Sequence, residues 1–167
     1  MKKRRERTEE TVAKLLKNYH LTLSVAESCT GGLLCHKITN VSGSSAYFRG
    51  GVIAYHNDLK KALLDVSKEI LKKFGAVSKK TAMAMARGAK RRLGCDIGMA
   101  ITGIAGPTGG SKLEPPGTVF IAISDKKSEE CRRFLFKGKR QAIKLAASNK
   151  ALKMLKEFLE QADRVGV

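Results

Sequence analysis

The feature of this sequence that most constrains its fold is residues 96–102, a nearly all-apolar segment that leads into a long glycine-rich stretch. A strand that is apolar along its whole length is typical of a sheet covered on both faces, whereas a sheet with one wet face alternates apolar and polar residues. We therefore expect this segment to be a central strand of an α/β protein.

Helical and β-like patterns alternate on both sides of this strand. Apolar residues at helical spacing predict a first helix over residues 6–18, and Ser78 is a suitable N-cap for a longer helix that runs to residue 93. The remaining predicted helices cover residues 30–40, 57–64, 68–74 and 140–161, and the remaining strands cover residues 21–26, 49–55, 119–124 and 131–136. The last two strands form a hairpin with a charged turn at 125–130. This order predicts a three-layer α/β/α sandwich with a mixed sheet.

The chain length of 167 residues fits one domain, which we expect to span residues 1–167 with a basic N-terminal tail at 1–7. The longest apolar runs are far too short to span a bilayer. The basic start leads into an amphipathic helix and not into the apolar core of a signal peptide. We expect a cytoplasmic protein that does not associate with membranes.

Charge is the unusual property of the composition. Thirty-three Lys and Arg against fifteen Asp and Glu give a net charge of +18, which attracts polyanions at low salt. The basic residues are scattered along the chain, and aromatics amount to only 5% with no Trp, which argues against a stacking platform for single-stranded nucleic acid. The four cysteines form no C-x-x-C pair and share no metal spacing with the three histidines, so we expect no metal.

Three loops carry the candidate functional residues, because an α/β fold places its sites beyond strand ends. The first is the strand-to-helix turn at residues 26–32, which contains Ser28, Thr30 and Gly31. Its backbone N–H groups can hold an anion or a developing oxyanion. An ordinary helix cap with a tight glycine turn explains the same residues, and the motif alone does not choose between the two interpretations.

The second candidate is a serine–lysine arrangement. Ser45 lies in the loop at 43–46, Lys60 follows fifteen residues later, and Tyr55 lies between them. A serine hydroxyl needs a base to become a nucleophile, and a lysine whose pKa is depressed can be that base. Because the intervening elements are short, we expect Ser45, Tyr55 and Lys60 to meet at one mouth, although lysine is so common in this chain that the spacing is weak support.

The third candidate is the long loop at residues 103–117, directly after Thr102. A structureless loop of this length in a compact domain tends to be functional. It lacks the Gly-Lys-Ser/Thr of a Walker motif, and the chain has neither a G-x-G-x-x-G after a strand nor a G-x-S-x-G elbow. Phosphate binding by the loop backbone is the function that we expect.

Taken together, these segments resemble one family: the C-terminal domain of the competence/damage-inducible protein CinA, which also occurs alone as a PncC-type nicotinamide-nucleotide amidohydrolase. The matching stretches occur in order from about residue 8 to 160. They are Ala26-Glu-Ser-Cys-Thr-Gly-Gly32, Gly43-Ser-Ser-Ala46, Gly51-Val-Ile-Ala-Tyr-His-Asn57 with Lys60, Gly75-Ala-Val-Ser78, Thr102-Gly-Ile-Ala-Gly-Pro107 and Pro116-Gly-Thr-Val119.

The resemblance implies hydrolysis of nicotinamide mononucleotide to nicotinic acid mononucleotide and ammonia in pyridine-nucleotide recycling, without a metal or organic cofactor. By motif position, Ser45 resembles the nucleophile, Lys60 the general base and Tyr55 a partner that orients or relays the proton. Ser28 and Thr30 are second candidates for the nucleophile or for binding. The resemblance also implies a homodimer.

The remaining roles concern the substrate's ribose and phosphate. Arg140 resembles the family's basic position for the phosphate, and Thr102 with the backbone from Gly103 to Gly106 would line the ribose or phosphate. The sequence departs from the family's usual pattern at His56, at residues 113–116 and at Lys139, all expected near the substrate mouth. These departures bear on which amide is the substrate more than on the type of reaction.

Two other functions compete with this interpretation. One is a non-catalytic nucleotide- or nucleic-acid-binding module that uses the basic surface. Tight DNA binding with a steep salt dependence and no deamidase activity would favour that module. The other is an amidase that acts on a different small amide, which a substrate panel would reveal.

Overall fold

The structure, a computed structural model, describes residues 6–163, and side chains as far as residue 161. Its strands are β1 (Leu23–Glu27), β2 (Phe48–Ile53), β3 (Ile97–Gly103), β4 (Thr118–Ser124) and β5 (Glu129–Leu135). Its helices are α1 (Thr8–Asn18), α2 (Leu33–Thr39), α3 (Asn57–Leu64), α4 (Lys68–Phe74), α5 (Lys79–Arg92) and α6 (Arg140–Asp163), with a 3₁₀ turn at Ser44–Ala46.

The five strands form one mixed sheet in the order β2-β1-β3-β4-β5. Strands β2, β1 and β3 are parallel, whereas β4 and β5 continue the sheet antiparallel. The apolar segment that we expected to be central is β3, and every residue in it except the last is buried. The expected fold class is therefore confirmed.

The two faces of the sheet carry side chains of different size. On one face, Val25, Met99 and Ile121 pack with α1, α2 and α6. On the other face, Ala26 and Ala100 pack with α3 and α5. Small side chains on this second face let helix α5 lie close to the sheet.

Helix α5 also lies close to the end of α3. A Cβ atom on Gly88 would be 2.0 Å from the carbonyl oxygen of Leu64, so only glycine fits there without a backbone shift. This contact fixes α3, the helix that carries Lys60, against α5.

The element boundaries agree with the sequence pattern to within a few residues. The hairpin turn is tighter than expected, because the Asp125 carboxylate accepts hydrogen bonds from the N–H groups of Lys127 (2.7 Å) and Ser128 (2.6 Å), and β5 begins at Glu129. Residues 1–5 of the predicted basic tail lie outside the described residues. Within residues 6–163, no helix is long and apolar enough to cross a membrane.

Candidate active site

The carboxyl ends of the three parallel strands bring separate loops together. The N–H of Ser28, just after β1, donates to the carbonyl of Ile101 in β3 at 3.0 Å. The N–H of Ala54, just after β2, donates to the carbonyl of Glu27 at 2.8 Å. The residues that follow β1, β2 and β3 therefore lie at one edge of the sheet, where an open parallel sheet forms its binding crevice.

The turn after β1 is held by the buried carboxylate of Glu27. Its oxygens accept hydrogen bonds from the backbone N–H groups of Gly32 (3.0 Å), Leu34 (3.2 Å) and Cys35 (2.8 Å). These N–H groups belong to the start of α2 and need acceptors from outside the helix. The carboxylate thus ties the helix to the strand end and fixes Ser28, which lies between them.

Lys60 is a buried amine at this edge, with only 1% of its surface exposed. Its Nζ donates to the carbonyl of Ala54 at 2.8 Å and of Tyr55 at 3.2 Å, and it lies 3.3 Å from Ser28 Oγ. None of the ion pairs among the described residues includes Lys60. Burial lowers the pKa of Lys60 from its ordinary value, because the charged form loses its hydration.

When Lys60 is a neutral amine, its three contacts can still be made. Two N–H groups can donate to the two carbonyl oxygens, and the remaining lone pair then faces the Ser28 hydroxyl, which becomes the donor. The hydroxyl is therefore placed to pass its proton to the amine. This is the geometry of a serine nucleophile activated by a lysine base.

Ser45 lies at the opposite end of β2. It belongs to the 3₁₀ turn that precedes the strand, whereas Lys60 follows the strand. The six residues of β2 at roughly 3.3 Å each carry the chain about 20 Å across the sheet. The expectation that Ser45, Tyr55 and Lys60 lie together at one site is therefore wrong. Ser45 lies before the start of β2, whereas Tyr55 and Lys60 follow its end.

Tyr55 and Arg140 form the outer rim of the site. The Tyr55 side chain is 57% exposed, and its hydroxyl accepts a hydrogen bond from Arg140 Nη2 at 2.7 Å. Arg140 Nη1 donates to the carbonyl of Gly106 at 2.9 Å. Tyr55 thus accepts a hydrogen bond from Lys60 at its carbonyl and one from Arg140 at its hydroxyl. Its phenol therefore does not lie between Ser28 and Lys60.

A cleft of about 320 Å³ lies over these groups. Ser28, Lys60, Tyr55 and Arg140 line it, together with the loops after β3 and before α5. Of the residues expected to bind substrate, Gly103 and Gly106 contribute to this lining, as does Thr102.

The Thr102 hydroxyl donates to the carbonyl of Ala76 at 2.8 Å, which anchors the wall that Ala76 and Val77 present to the cleft. No role was expected for this wall, although its sequence is part of a family motif. A short apolar stretch before a helix carries no signal that it faces a ligand.

Thr30 and Gly31 do not line the cleft, contrary to expectation. The N–H of Gly31 donates to the carbonyl of Ser28 at 3.1 Å, so the chain turns away from the site directly after Ser28. Thr30 is fully buried, and Gly31 is exposed in a left-handed conformation.

Cys29 is a cleft residue that the sequence reasoning missed. It is adjacent to Ser28, and burial raises the pKa of its thiol to about 11, so the thiol is protonated at neutral pH. Within residues 6–163, no three His, Cys, Asp or Glu side chains are grouped to hold a metal ion.

Comparison with known proteins identifies the family. The profile of the CinA C-terminal domain matches residues 5–159. The chain is similar to the CinA-like protein of Syntrophus aciditrophicus (49% identity over 155 residues, 92% of this chain) and to that of Thermotoga maritima (46% over 160 residues, 96% of this chain). It spans only 37% and 39% of the length of these two relatives.

Solved structures agree with the sequence comparison. The fold is similar to a CinA superfamily protein from Klebsiella pneumoniae (TM-score 0.89, 33% identity, 93% of this chain and 99% of that one). It is also similar to the competence/damage inducible protein CihA from Agrobacterium tumefaciens (TM-score 0.86, 38% identity, 96% of this chain and 99% of that one). The chain belongs to the CinA C-terminal domain family.

Proposed function

We propose that the protein hydrolyses the carboxamide of nicotinamide mononucleotide, with Ser28 as nucleophile and Lys60 as general base. The observation that carries this proposal is the buried Lys60 amine, 3.3 Å from Ser28 Oγ and without a carboxylate partner among the described residues. A surface lysine would stay charged and could not accept a proton.

The reaction begins when Lys60 takes the proton of Ser28 as Oγ attacks the carboxamide carbon. The developing oxyanion needs hydrogen-bond donors. Backbone N–H groups of Ala105 and Gly106 are candidates, because both residues line the cleft and neither N–H donates to an acceptor within residues 6–163. Lys60 then returns its proton to the leaving nitrogen, so that ammonia departs and an ester remains on Ser28.

Water completes the cycle. Lys60, neutral again, takes a proton from a water molecule that attacks the ester. The second tetrahedral intermediate then collapses to nicotinic acid mononucleotide as Lys60 returns this proton to Ser28 Oγ, which restores the free serine and the neutral amine. The carbonyls of Ala54 and Tyr55 keep the lysine in place through both halves of the reaction.

Arg140 supports a substrate that carries a phosphate. Its guanidinium is bonded only to neutral oxygens, those of Gly106 and Tyr55, and it forms no ion pair within the described part of the chain. An uncompensated guanidinium at the rim of the cleft suits a phosphate oxygen, to which it can donate two parallel hydrogen bonds.

The test compares two serines and two lysines. Ammonia release from nicotinamide mononucleotide should fall by a factor on the order of 10⁴ or more in Ser28→Ala and in Lys60→Met, as expected when a nucleophile or its base is removed. Ser45→Ala and Lys61→Met, which make the same changes at exposed sites, should stay within about twofold of wild type. The assignment is wrong if Ser45→Ala abolishes turnover while Ser28→Ala retains it.

A further inference from the structure

A second cavity, of about 560 Å³, adjoins the cleft that contains Ser28. It lies between the loop after β3 and the connection from β5 to α6. The two cavities share Ala105, Gly106 and Arg140 in their linings, so Arg140 stands at the boundary between them. Ser28 and Lys60, the proposed nucleophile and base, line only the first cavity.

The walls of the second cavity are fixed by backbone contacts. The N–H of Gly117 donates to the carbonyl of Ile104 at 2.7 Å, which closes the long loop at its base. The N–H of Phe136 donates to the carbonyl of Gly117 at 2.9 Å, which ties that base to β5. A Cβ on Gly117 would lie 2.0 Å from the carbonyl oxygen of Phe136, so this approach requires glycine. These contacts hold the walls of the cavity in place.

The lining of this cavity combines an apolar surface with cations. Pro115, Pro116 and Phe136 are among its apolar lining residues, and the exposed Lys137 and Lys139 are its basic ones. No carboxylate lines the cavity, and neither lysine forms an ion pair or a side-chain hydrogen bond within the described residues. A volume in the range of ordinary ligand sites, a mostly apolar lining and cations at the rim are typical of a pocket for a ring compound with an anionic group.

We propose that this second cavity binds a nucleotide unit, with its phosphate at Lys137 and Lys139 and its base against Pro115, Pro116 and Phe136. The lining of this cavity does not include Ser28 or Lys60, so a nucleotide can bind there without the proposed reaction taking place. The nucleotide unit has two sources: a separate mononucleotide, or the second half of a dinucleotide whose nicotinamide end occupies the cleft.

The test is calorimetric titration of adenosine monophosphate into the full chain carrying Ser28→Ala, which holds any amide substrate unreacted. The nucleotide should bind, and adenosine or inorganic phosphate alone should bind at least tenfold more weakly. The double variant Lys137→Ala/Lys139→Ala should weaken nucleotide binding by about tenfold or more, as loss of charge-assisted hydrogen bonds requires. The matched control Lys72→Ala/Lys80→Ala removes the same charge from exposed positions and should change affinity less than twofold.

Two results would overturn the proposal. One is no binding of adenosine monophosphate at millimolar concentration. The other is an equal loss of affinity in both double variants, which would mean general attraction to the +18 chain. Neither result bears on ammonia release, so failure here and failure of the proposed function are distinguishable.

A competition experiment distinguishes a separate mononucleotide from the second half of a dinucleotide. If a dinucleotide of nicotinamide mononucleotide and adenosine monophosphate displaces adenosine monophosphate and binds more tightly than nicotinamide mononucleotide does, one ligand spans both cavities. If the two mononucleotides bind together and the dinucleotide gains nothing, the second cavity takes a separate mononucleotide. Both outcomes support a nucleotide site at Lys137 and Lys139.

Discussion

Replacing Glu27 by Gln tests how the fold positions Ser28, the proposed nucleophile. The carboxylate accepts three backbone hydrogen bonds at 2.8–3.2 Å while fully buried. A glutamine keeps one acceptor oxygen, which can serve Gly32 and Leu34. Its amide nitrogen would then face the N–H of Cys35, so two donors would oppose each other.

The cost follows from these contacts. Each remaining bond loses its charge assistance, worth about 1 kcal/mol, and the opposed donors add an unsatisfied buried group at about 1–3 kcal/mol. Relief of the buried charge offsets part of this loss. We expect the free energy of unfolding to fall by about 3 kcal/mol, which for a domain of this size lowers Tm by roughly 6–12 °C.

Urea unfolding and thermal melts measure this change. Glu157→Gln is the control, because Glu157 is a partly exposed carboxylate with a single ion-pair partner, Arg132 at 2.9 Å, and its loss should cost less than about 1 kcal/mol. Under the proposed function, ammonia release by Glu27→Gln should fall along with its stability, since Ser28 loses its anchored turn. Equal destabilisation in the two variants would refute the role assigned to Glu27.

Two further predictions concern Lys60 and the helix that carries it. Because burial lowers the Lys60 pKa, the unfolded chain binds more protons than the native state between that lowered pKa and 10.5, so the free energy of unfolding rises with pH across this window. Turnover rises earlier, as the pH passes through the lowered pKa, and then levels off because the native amine is already neutral. The free energy of unfolding, measured in urea at several pH values across this window, should rise less steeply with pH in Lys60→Met. In Ser28→Ala it should rise as steeply as in the wild type. Gly88→Ala places a methyl group 2.0 Å from the Leu64 carbonyl oxygen. It should lower the free energy of unfolding by about 2 kcal/mol and displace α3, so that both Tm and ammonia release fall. An unchanged Tm would show that α3 and α5 can separate freely.

The order and type of the elements could be predicted because each has a local signal. The apolar β3, the Ser78 cap and the helical spacing of α1 all depend on residues near in sequence. The antiparallel hairpin of β4 and β5 was likewise visible in two short apolar runs around a charged turn. Local patterns therefore accounted for the layers of the fold.

The pairing of Ser28 with Lys60 could not be predicted from local patterns. It depends on β1 lying beside both β2 and β3, which places the residues after these strands at one edge. Sequence spacing instead favoured Ser45, which is nearer to Lys60 along the chain but a full strand away in space. The contact between Tyr55 and Arg140, 85 residues apart, had no local signal either.

The positions where this sequence departs from the family pattern lie away from the contacts between Ser28 and Lys60. Lys139 and the prolines at 115 and 116 line the second cavity, and His56 is an exposed cap that accepts a hydrogen bond from the N–H of Asp58 at the start of α3. None of these side chains is a hydrogen-bond partner of Ser28 or Lys60. Under the two proposals, changes at the second cavity alter what the remote end of a ligand meets, whereas Ser28 and Lys60 keep their contacts. The proposals therefore imply that such a chain can change its ligand without changing its chemistry.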